Sequence, residues 1–230
     1  VVRDGYFLYA DSTRVCIVDY LGADSVVVVP NSVTAIGVEA FKGSTNLTSV
    51  EIPNSVTAIG NSAFYGCGRL TSIDVSESVA TIGKNAFYGI DTIFYAGKAT
   101  GEPWGASKVI RGVRDGYFLY ADSTKSCIVG YLGSDSVVVI PNAVTVIGDN
   151  AFKGYANLTS IEIPNSVTAI GSSTFYGCSS LTSIEISNSV TGIGEQAFYN
   201  CKGLNLMDVP ESVATIGKNA FYGIDTIFYA

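Results

Sequence analysis

The sequence contains no histidine and little charge, and these two shortages narrow the chemistry available to the chain. Its 230 residues include 20 acidic and 13 basic side chains, which gives a net charge of −7. Without histidine, Ser-His-Asp and Cys-His catalytic sites are excluded and the commonest metal ligand is missing. The excess of negative charge disfavours nucleic acid as a partner.

Other signatures of catalysis or membrane insertion are missing too. The chain is 47% hydrophobic, but no apolar run approaches the roughly 20 residues of a membrane-spanning helix. No glycine-rich phosphate loop, zinc-ligand spacing or distinctive carboxylate pair is present. We therefore expect no enzyme, no cofactor and no transmembrane segment. The chain opens on Val1 without a signal peptide, and we interpret it as an excised or processed segment.

The cysteines are odd in number, five, and fall at two recurring positions. Cys67, Cys178 and Cys201 share one repeat position, and Cys16 and Cys127 share another. The favoured interpretation is buried free thiols that pack as small apolar groups. A disulfide between Cys178 and Cys201 is the alternative, because adjacent repeats would bring them within bonding distance. Cysteine usage leaves the cellular compartment open.

A 23-residue repeat organises most of the sequence. Phenylalanine marks one position of it, at Phe41, Phe64, Phe87, Phe152, Phe175, Phe198 and Phe221. An Ile-Gly pair precedes each phenylalanine, at residues 36–37, 59–60, 82–83, 147–148, 170–171, 193–194 and 216–217. Seven copies at this spacing predict a stack of similar coils.

Each copy reads as two short strands and a turn. In residues 157–178, Ile161, Glu162 and Ile163 alternate between apolar and polar with the period of a strand. Pro164 ends that strand because proline cannot donate a ladder hydrogen bond. Val167–Ile170 predicts a second strand, and the following turn points Phe175 inward. Since one unit cannot bury its own apolar face, the units must stack, with the phenylalanines forming a buried ladder at about 4.8 Å spacing.

These motifs resemble the leucine-rich repeat, and in particular its BspA-like, or Treponema-type, branch. The L-x-x-I-x-I segment at Leu158–Ile163 matches the repeat strand, and Pro53, Ile59-Gly60 and Ala63-Phe64 match the branch. Departures are conservative, at Ser76, Thr174, Ser187 and Met207. The resemblance implies a mainly β solenoid with 23-residue units, two short parallel strands per unit and little helix, to which the sequence adds β-hairpin units.

The chain also repeats at a larger scale. Arg3–Tyr9 recurs at Arg114–Tyr120, and Ile90–Ala96 recurs at Ile224–Ala230. We predict a hairpin and first repeat block at 1–96, a connecting loop at 97–111, and a hairpin and second block at 112–230. One continuous solenoid is favoured, and two rigid blocks hinged near 97–105 are the alternative.

Two polar rows on the outward side of the repeat strand are the candidate interaction surface. The acidic row comprises Glu51, Asp74, Glu162, Glu185 and Asp208, and the serine row comprises Ser49, Ser72, Ser160 and Ser183. Since like charges at strand spacing repel, the acidic row suggests a bound cation or a basic partner. The favoured alternative is a solvated face for the acids and close packing of units for the serines.

Aromatic side chains give a second candidate surface. A tyrosine follows the buried phenylalanine at Tyr65, Tyr88, Tyr176, Tyr199 and Tyr222, and Lys42 and Lys153 take this position in the first units, which predicts exposure. These tyrosines suit contacts with a partner, although shielding of the turn backbone is favoured. Trp104, in the 97–111 loop, is a candidate anchor, with packing onto the solenoid as the alternative.

The resemblance implies a bacterial-type surface or secreted binding module that mediates adhesion or protein–protein interaction. Its partner would be an unknown protein or glycan, with a host matrix protein as one example, and its location would be extracellular. A structural spacer that projects other domains is the competing interpretation, because near-identical copies suit a spacer better than a diversified binding surface.

We predict that Phe175→Ala costs about 3–5 kcal/mol of unfolding free energy, because it empties the centre of the aromatic ladder. Thermal melts of the wild type and the variant measure this. Unchanged melting would mean that the ring is not buried.

Overall fold

The computed structural model describes residues 1–229, and within them the chain forms strands and turns with no helix. It divides into two compact units, Val1–Val113 and Arg114–Ala230. The predicted β solenoid, with its minimal helix content, is confirmed. None of the described residues forms a helix that could cross a membrane.

Each unit begins with an antiparallel β-meander. Unit 1 has β1 (Val2–Asp4), β2 (Phe7–Tyr9) and β3 (Cys16–Tyr20), and unit 2 has the equivalent β12 (Val113–Asp115), β13 (Phe118–Tyr120) and β14 (Cys127–Tyr131). The sequence predicted two strands here, and the structure adds a third. Gly5, at a φ of 58°, allows β1 to reverse into β2 over two residues.

The second strand of every repeat joins a parallel sheet that continues from this meander. In unit 1 the sheet adds β5 (Ala35–Ile36), β7 (Ala58–Ile59) and β9 (Thr81–Ile82). In unit 2 it adds β16 (Val146–Ile147), β18 (Ala169–Ile170), β20 (Gly192–Ile193) and β22 (Thr215–Ile216). Isoleucine pairs with isoleucine along each sheet, as at Ile36 and Ile59, so this row lies over the core.

The first strand of each repeat builds a second set of parallel strands. Unit 1 contributes β4 (Val26–Val28), β6 (Ser49–Glu51), β8 (Ser72–Val75), β10 (Thr92–Tyr95) and β11 (Lys108–Ile110). Unit 2 contributes β15 (Val137–Val139), β17 (Ser160–Glu162), β19 (Ser183–Ile184), β21 (Leu206–Val209) and β23 (Thr226–Tyr229). The ladder is interrupted once in each unit, so that β4-β6 is separate from β8-β10-β11, and β15-β17-β19 from β21-β23.

The phenylalanines form a stacked ladder inside each unit, as predicted. Ring centroids lie 4.9 and 5.8 Å apart along Phe41, Phe64 and Phe87. Along Phe152, Phe175, Phe198 and Phe221 the separations are 5.5, 5.2 and 5.7 Å. The meander closes one end of each ladder with a tyrosine, because Tyr20 stacks on Phe41 and Tyr131 stacks on Phe152.

Glycine in the Ile-Gly pair is required by the close approach of successive coils. A Cβ atom on Gly60 would lie 2.6 Å from the carbonyl carbon of Gly37 and from the amide nitrogen of Val38. On Gly171 it would lie 2.6 Å from the amide nitrogen of Asp149. Any larger side chain would therefore push neighbouring coils apart.

All five cysteines are free, as favoured over a Cys178–Cys201 disulfide, and Cys67, Cys178 and Cys201 are buried as predicted, whereas Cys16 and Cys127 are only half-buried. Each buried thiol donates a hydrogen bond to the carbonyl oxygen of the phenylalanine in the preceding coil, as Cys178 does to Phe152 at 3.1 Å. Burial raises the pKa of Cys67 and Cys178 to about 11 and that of Cys201 to about 12. These thiols therefore stay protonated at neutral pH.

The segment 97–111 differs from the predicted loop. Its residues Lys108–Ile110 form β11, which pairs in parallel with β10, so the segment belongs to unit 1 as an abbreviated final coil. The β-branched pair Val109-Ile110 suits a strand. The Phe87 amide donates a hydrogen bond to the carbonyl oxygen of Trp104 at 3.0 Å. In the preceding coil the equivalent amide, that of Phe64, donates to Ala86 of the next repeat, so Trp104 takes the place of a repeat residue. We call residues 97–111 the cap segment.

Replacing Gly60 by alanine should lower the unfolding free energy by about 1–3 kcal/mol, because the new methyl group overlaps backbone that cannot move aside freely. Gly68→Ala in the same unit is the matched control, since nothing lies within 4 Å of its Cβ position. Urea unfolding curves compare the two. Equal losses of unfolding free energy in the two variants would show that the close approach of the coils does not restrict the side chain at position 60.

Alkaline pH should destabilise the fold through the buried thiols. Because their folded pKa values lie above the unfolded value near 9, their contribution is complete below pH 9 and is lost as pH rises towards 11. Unfolding free energy measured from pH 7 to 11 should fall more steeply for the wild type than for the triple variant Cys67→Ala, Cys178→Ala, Cys201→Ala. Parallel curves would contradict this expectation.

Candidate interaction surface

The outward face of the second set of strands carries the predicted polar rows. Alternate side chains point in and out, so in β6 Val50 is buried whereas Ser49 and Glu51 are exposed. All five acids of the predicted row are exposed, at Glu51, Asp74, Glu162, Glu185 and Asp208. Ser49 and Ser183 are exposed, and Ser72 and Ser160 are half-buried.

Strand register brings equivalent residues side by side. Ser160 of β17 lies opposite Ser183 of β19, so the serine row is continuous there. Paired strands are about 4.8 Å apart, which places Glu162 and Glu185 on neighbouring coils. Within residues 1–229, Glu51, Glu162, Glu185 and Asp208 take part in no salt bridge, whereas Asp4, Glu39 and Asp115 do. The three carboxylates that the acidic row has in unit 2, at Glu162, Glu185 and Asp208, therefore face solvent without a salt-bridge partner among the described residues.

A groove opens in unit 2 where the ladder is interrupted between β19 and β21. Its volume is about 460 Å³, and it is lined by Ile184, Glu185, Ile186, Asn188, Asp208, Val209 and Pro210. Two acids of the predicted row therefore share one depression with apolar and amide side chains. Sequence periodicity gave no sign of this groove, because every copy carries the strand pattern whether or not neighbouring strands pair.

Apolar side chains flank the acidic row, and the sequence interpretation missed them. Val26 and Val28 of β4 lie opposite Ser49 and Glu51 and are exposed, and Val137 and Val139 of β15 repeat the arrangement in unit 2. Leu206 and Phe228 are exposed on the same face. The signal was present, because the valine runs at 26–29 and 137–139 place apolar residues at the outward positions.

A second depression of about 380 Å³ lies beside β4 in unit 1. Its lining includes Tyr6, Tyr20, Asp24, Val26 and Val28. The hydroxyl of Tyr20 donates a hydrogen bond to Asp24 at 2.7 Å. Burial and this acceptor together raise the pKa of Tyr20 to about 12, so the phenol stays neutral and holds Asp24 at the rim.

The tyrosine row is a separate stacked surface. Ring centroids are 4.7 Å apart between Tyr65 and Tyr88, and 4.9 and 4.6 Å apart along Tyr176, Tyr199 and Tyr222. Tyr88 and Tyr222 are exposed, as predicted, while Tyr176 and Tyr199 are half-buried. Because the tyrosines stack on one another, the inner rings present mainly their edges to solvent.

Trp104 is the one predicted surface residue that the structure places in the core. It is 3% exposed, packs edge-on against Tyr95, and donates an indole hydrogen bond to the carbonyl oxygen of Thr100 at 2.8 Å. This position fits the packing alternative, so Trp104 is not part of the surface. Its neighbours were not predictable from spacing, because the cap segment lies outside the 23-residue repeat.

The chemistry of this surface comes from carboxylates, hydroxyls and apolar side chains. In residues 1–229, no three acidic, cysteine or histidine side chains form a group that could hold a metal ion. What the surface offers is uncompensated carboxylate, serine hydroxyls and exposed valine. This chemistry suits a partner with basic or hydroxyl groups and some apolar area.

The stacked coils, with two short parallel strands each, define the protein as a leucine-rich-repeat solenoid. The sequence profile of the BspA-type leucine-rich repeat region matches residues 24–96 and 133–228 in six copies. The chain therefore belongs to the BspA-type leucine-rich repeat family. No curated protein is significantly similar to it in sequence.

The chain is also similar to solved structures of bacterial proteins. The pneumococcal vaccine antigen PcpA is 19% identical, with a TM-score of 0.49, and the match covers 98% of this chain and 66% of that one. A leucine-rich repeat protein from Bacteroides ovatus is 24% identical, with a TM-score of 0.47, over 86% of this chain and 58% of that one. A leucine rich cell surface protein from Faecalibacterium prausnitzii is 21% identical, with a TM-score of 0.41, and the match covers 100% of this chain and 94% of that one.

Proposed function

We propose that this chain is a cell-surface or secreted binding module that mediates adhesion through the outward face of its repeat strands. The observation that carries the proposal is the unit 2 groove, where Glu185 and Asp208 lie beside the exposed amide of Asn188 and the half-buried side chains of Ile184 and Pro210. Membership of a repeat family supports a binding role, because repeat proteins present extended surfaces to partners.

The chemistry of the face favours a basic protein partner. Carboxylates without internal counterions attract lysine and arginine, and the exposed valines provide apolar area beside them. A glycan could use the serine hydroxyls and Asn188. The family resemblance points to host matrix proteins, and we take these as the first partners to test.

A structural spacer is the second candidate, and one observation favours it. The outward residues recur nearly unchanged between units, since Ser49 and Glu51 correspond to Ser160 and Glu162, and Asp74 is replaced only by the equally acidic Glu185. Binding surfaces usually diversify between repeats, whereas a spacer needs only solubility from them. The acidic row serves that purpose without a partner.

Binding to an array of immobilised matrix proteins and glycans separates the two functions. The full chain should bind at least one basic matrix protein, with affinity that falls between 50 mM and 500 mM salt because charge pairs at the surface are screened. The double variant Glu185→Gln, Asp208→Asn should weaken that binding at least tenfold. Glu195→Gln is the matched control, since Glu195 is exposed outside the groove.

The control should bind like the wild type and melt at the same temperature. No retained matrix protein or glycan would favour the spacer. Binding that the double variant leaves unchanged would move the contact surface away from the groove.

A further inference from the structure

The turn that follows each β-meander holds an acid next to the last tyrosine of the meander. In unit 2 the hydroxyl of Tyr131, at the end of β14, donates a hydrogen bond to Asp135 at 2.5 Å. Tyr20 and Asp24 make the same bond in unit 1. The unit 2 copy has described chain on both sides of it, so the arrangement is a property of the meander and its turn.

Three tyrosine rings cluster beside the acid in unit 2. Tyr131 lies at the centre, and Tyr117 and Tyr155 meet it edge-on with centroids 6.3 and 5.4 Å away. Tyr117 is exposed and Tyr155 is half-buried. Burial raises the pKa of Tyr155, and the negative charge of Asp135 raises it further. Tyr155 is therefore a neutral ring within electrostatic reach of that carboxylate.

The carboxylate of Asp135 has no cation of its own. Asp135 is exposed and forms no salt bridge within residues 1–229, whereas Asp115 of the same meander is paired with Lys125 at 2.5 Å. A carboxylate beside aromatic rings attracts a cationic group in two ways, through its charge and through the quadrupoles of the rings. A neutral or anionic ligand would gain neither contribution.

Apolar side chains extend the site along the next strand. Val137 and Val139 of β15 are 59% and 58% exposed. In unit 1 the equivalent groups line one depression of about 380 Å³, which includes Tyr6, Tyr20, Asp24, Val26 and Val28. A lysine side chain fits this chemistry, because its stem packs on apolar surface while its ammonium group reaches a carboxylate.

The two units differ by one ring. Ser44 in unit 1 stands at the position of Tyr155 in unit 2. Among the described tyrosines, only Tyr6 packs on Tyr20, with centroids 6.4 Å apart. A cation in unit 2 therefore has one more ring to contact than a cation in unit 1. We call Tyr6, Tyr20 and Asp24 the unit 1 cluster, and Tyr117, Tyr131, Asp135 and Tyr155 the unit 2 cluster.

We propose that each cluster binds a lysine side chain on an extended basic segment of a protein partner, and that the unit 2 cluster binds it more tightly. The ammonium group pairs with Asp135 and lies against the rings of Tyr117 and Tyr155. The lysine stem and its neighbours along the segment contact Val137 and Val139. This inference rests on the proposed function for the basic character of the partner, and it places two further contact sites outside the unit 2 groove.

Isothermal titration calorimetry of the full chain with a synthetic peptide of alternating lysine and valine tests the proposal. Two cluster sites per chain are expected, with about fivefold tighter binding at one of them because of its additional ring. The same peptide with acetylated lysines keeps the stems without the charge and should bind at least tenfold more weakly. Absence of saturable binding up to millimolar peptide, or equal binding of the acetylated peptide, overturns the proposal.

Variants of the chain locate the two sites. Asp135→Asn should remove the tighter site and Asp24→Asn the weaker one, because asparagine can still accept the tyrosine hydrogen bond but carries no charge. Asp225→Asn is the matched control, since Asp225 is exposed in the last repeat and should not affect binding. Equal weakening by Asp135→Asn and Asp225→Asn would reflect the overall charge alone and would overturn the proposal.

A tyrosine variant tests the part played by the rings. Tyr155→Ser gives unit 2 the residue that unit 1 has, and it is made together with Asp24→Asn so that one site remains. The affinity of that site should fall about fivefold, to that of the unit 1 cluster, while the melting temperature shows that the chain is folded. Unchanged affinity would mean that the additional ring does not contact the cation.

The double variant Glu185→Gln, Asp208→Asn keeps this test apart from that of the proposed function. It should retain both cluster sites for the lysine peptide, even where it no longer binds a matrix protein. If it loses the peptide while Asp135→Asn keeps it, the lysines bind in the unit 2 groove. That result would overturn the cluster sites and leave the proposed function standing.

Discussion

The close approach of backbone between successive coils is the constraint on which this structure depends. At each Ile-Gly pair, one coil passes so near the previous one that a Cβ atom would overlap backbone atoms, as at Gly60 and Gly171. This approach sets the separation of the coils, and the phenylalanine, isoleucine and cysteine rows follow from it. The hydrogen bond from each buried thiol to the preceding phenylalanine carbonyl is possible only at that separation.

The same separation governs the surface. Outward residues repeat at strand spacing, so a single acid in the repeat becomes a row of acids and a single tyrosine becomes a stack. A partner therefore meets rows of identical groups, and selectivity must come from the places where the rows are interrupted. The groove beside Glu185 and Asp208 and the exposed valines of β4 and β15 are two such places.

The repeat made most of the interior predictable. A residue type that recurs every 23 positions occupies the same environment in each copy, so Phe175 and Ile170 could be placed in the core and Glu162 on the surface. The buried free thiols followed from their shared repeat position. The arrangement of the two blocks as one continuous solenoid stays a prediction, as does the absence of catalysis.

By itself, the sequence determined the coil: its length, its two strands, its buried row and its outward row, because each of these depends on neighbours within one period. The tertiary structure alone decided where strand pairing is interrupted and what covers the end of a unit. Those features depend on contacts between residues without a periodic relation, such as Trp104 with Tyr95.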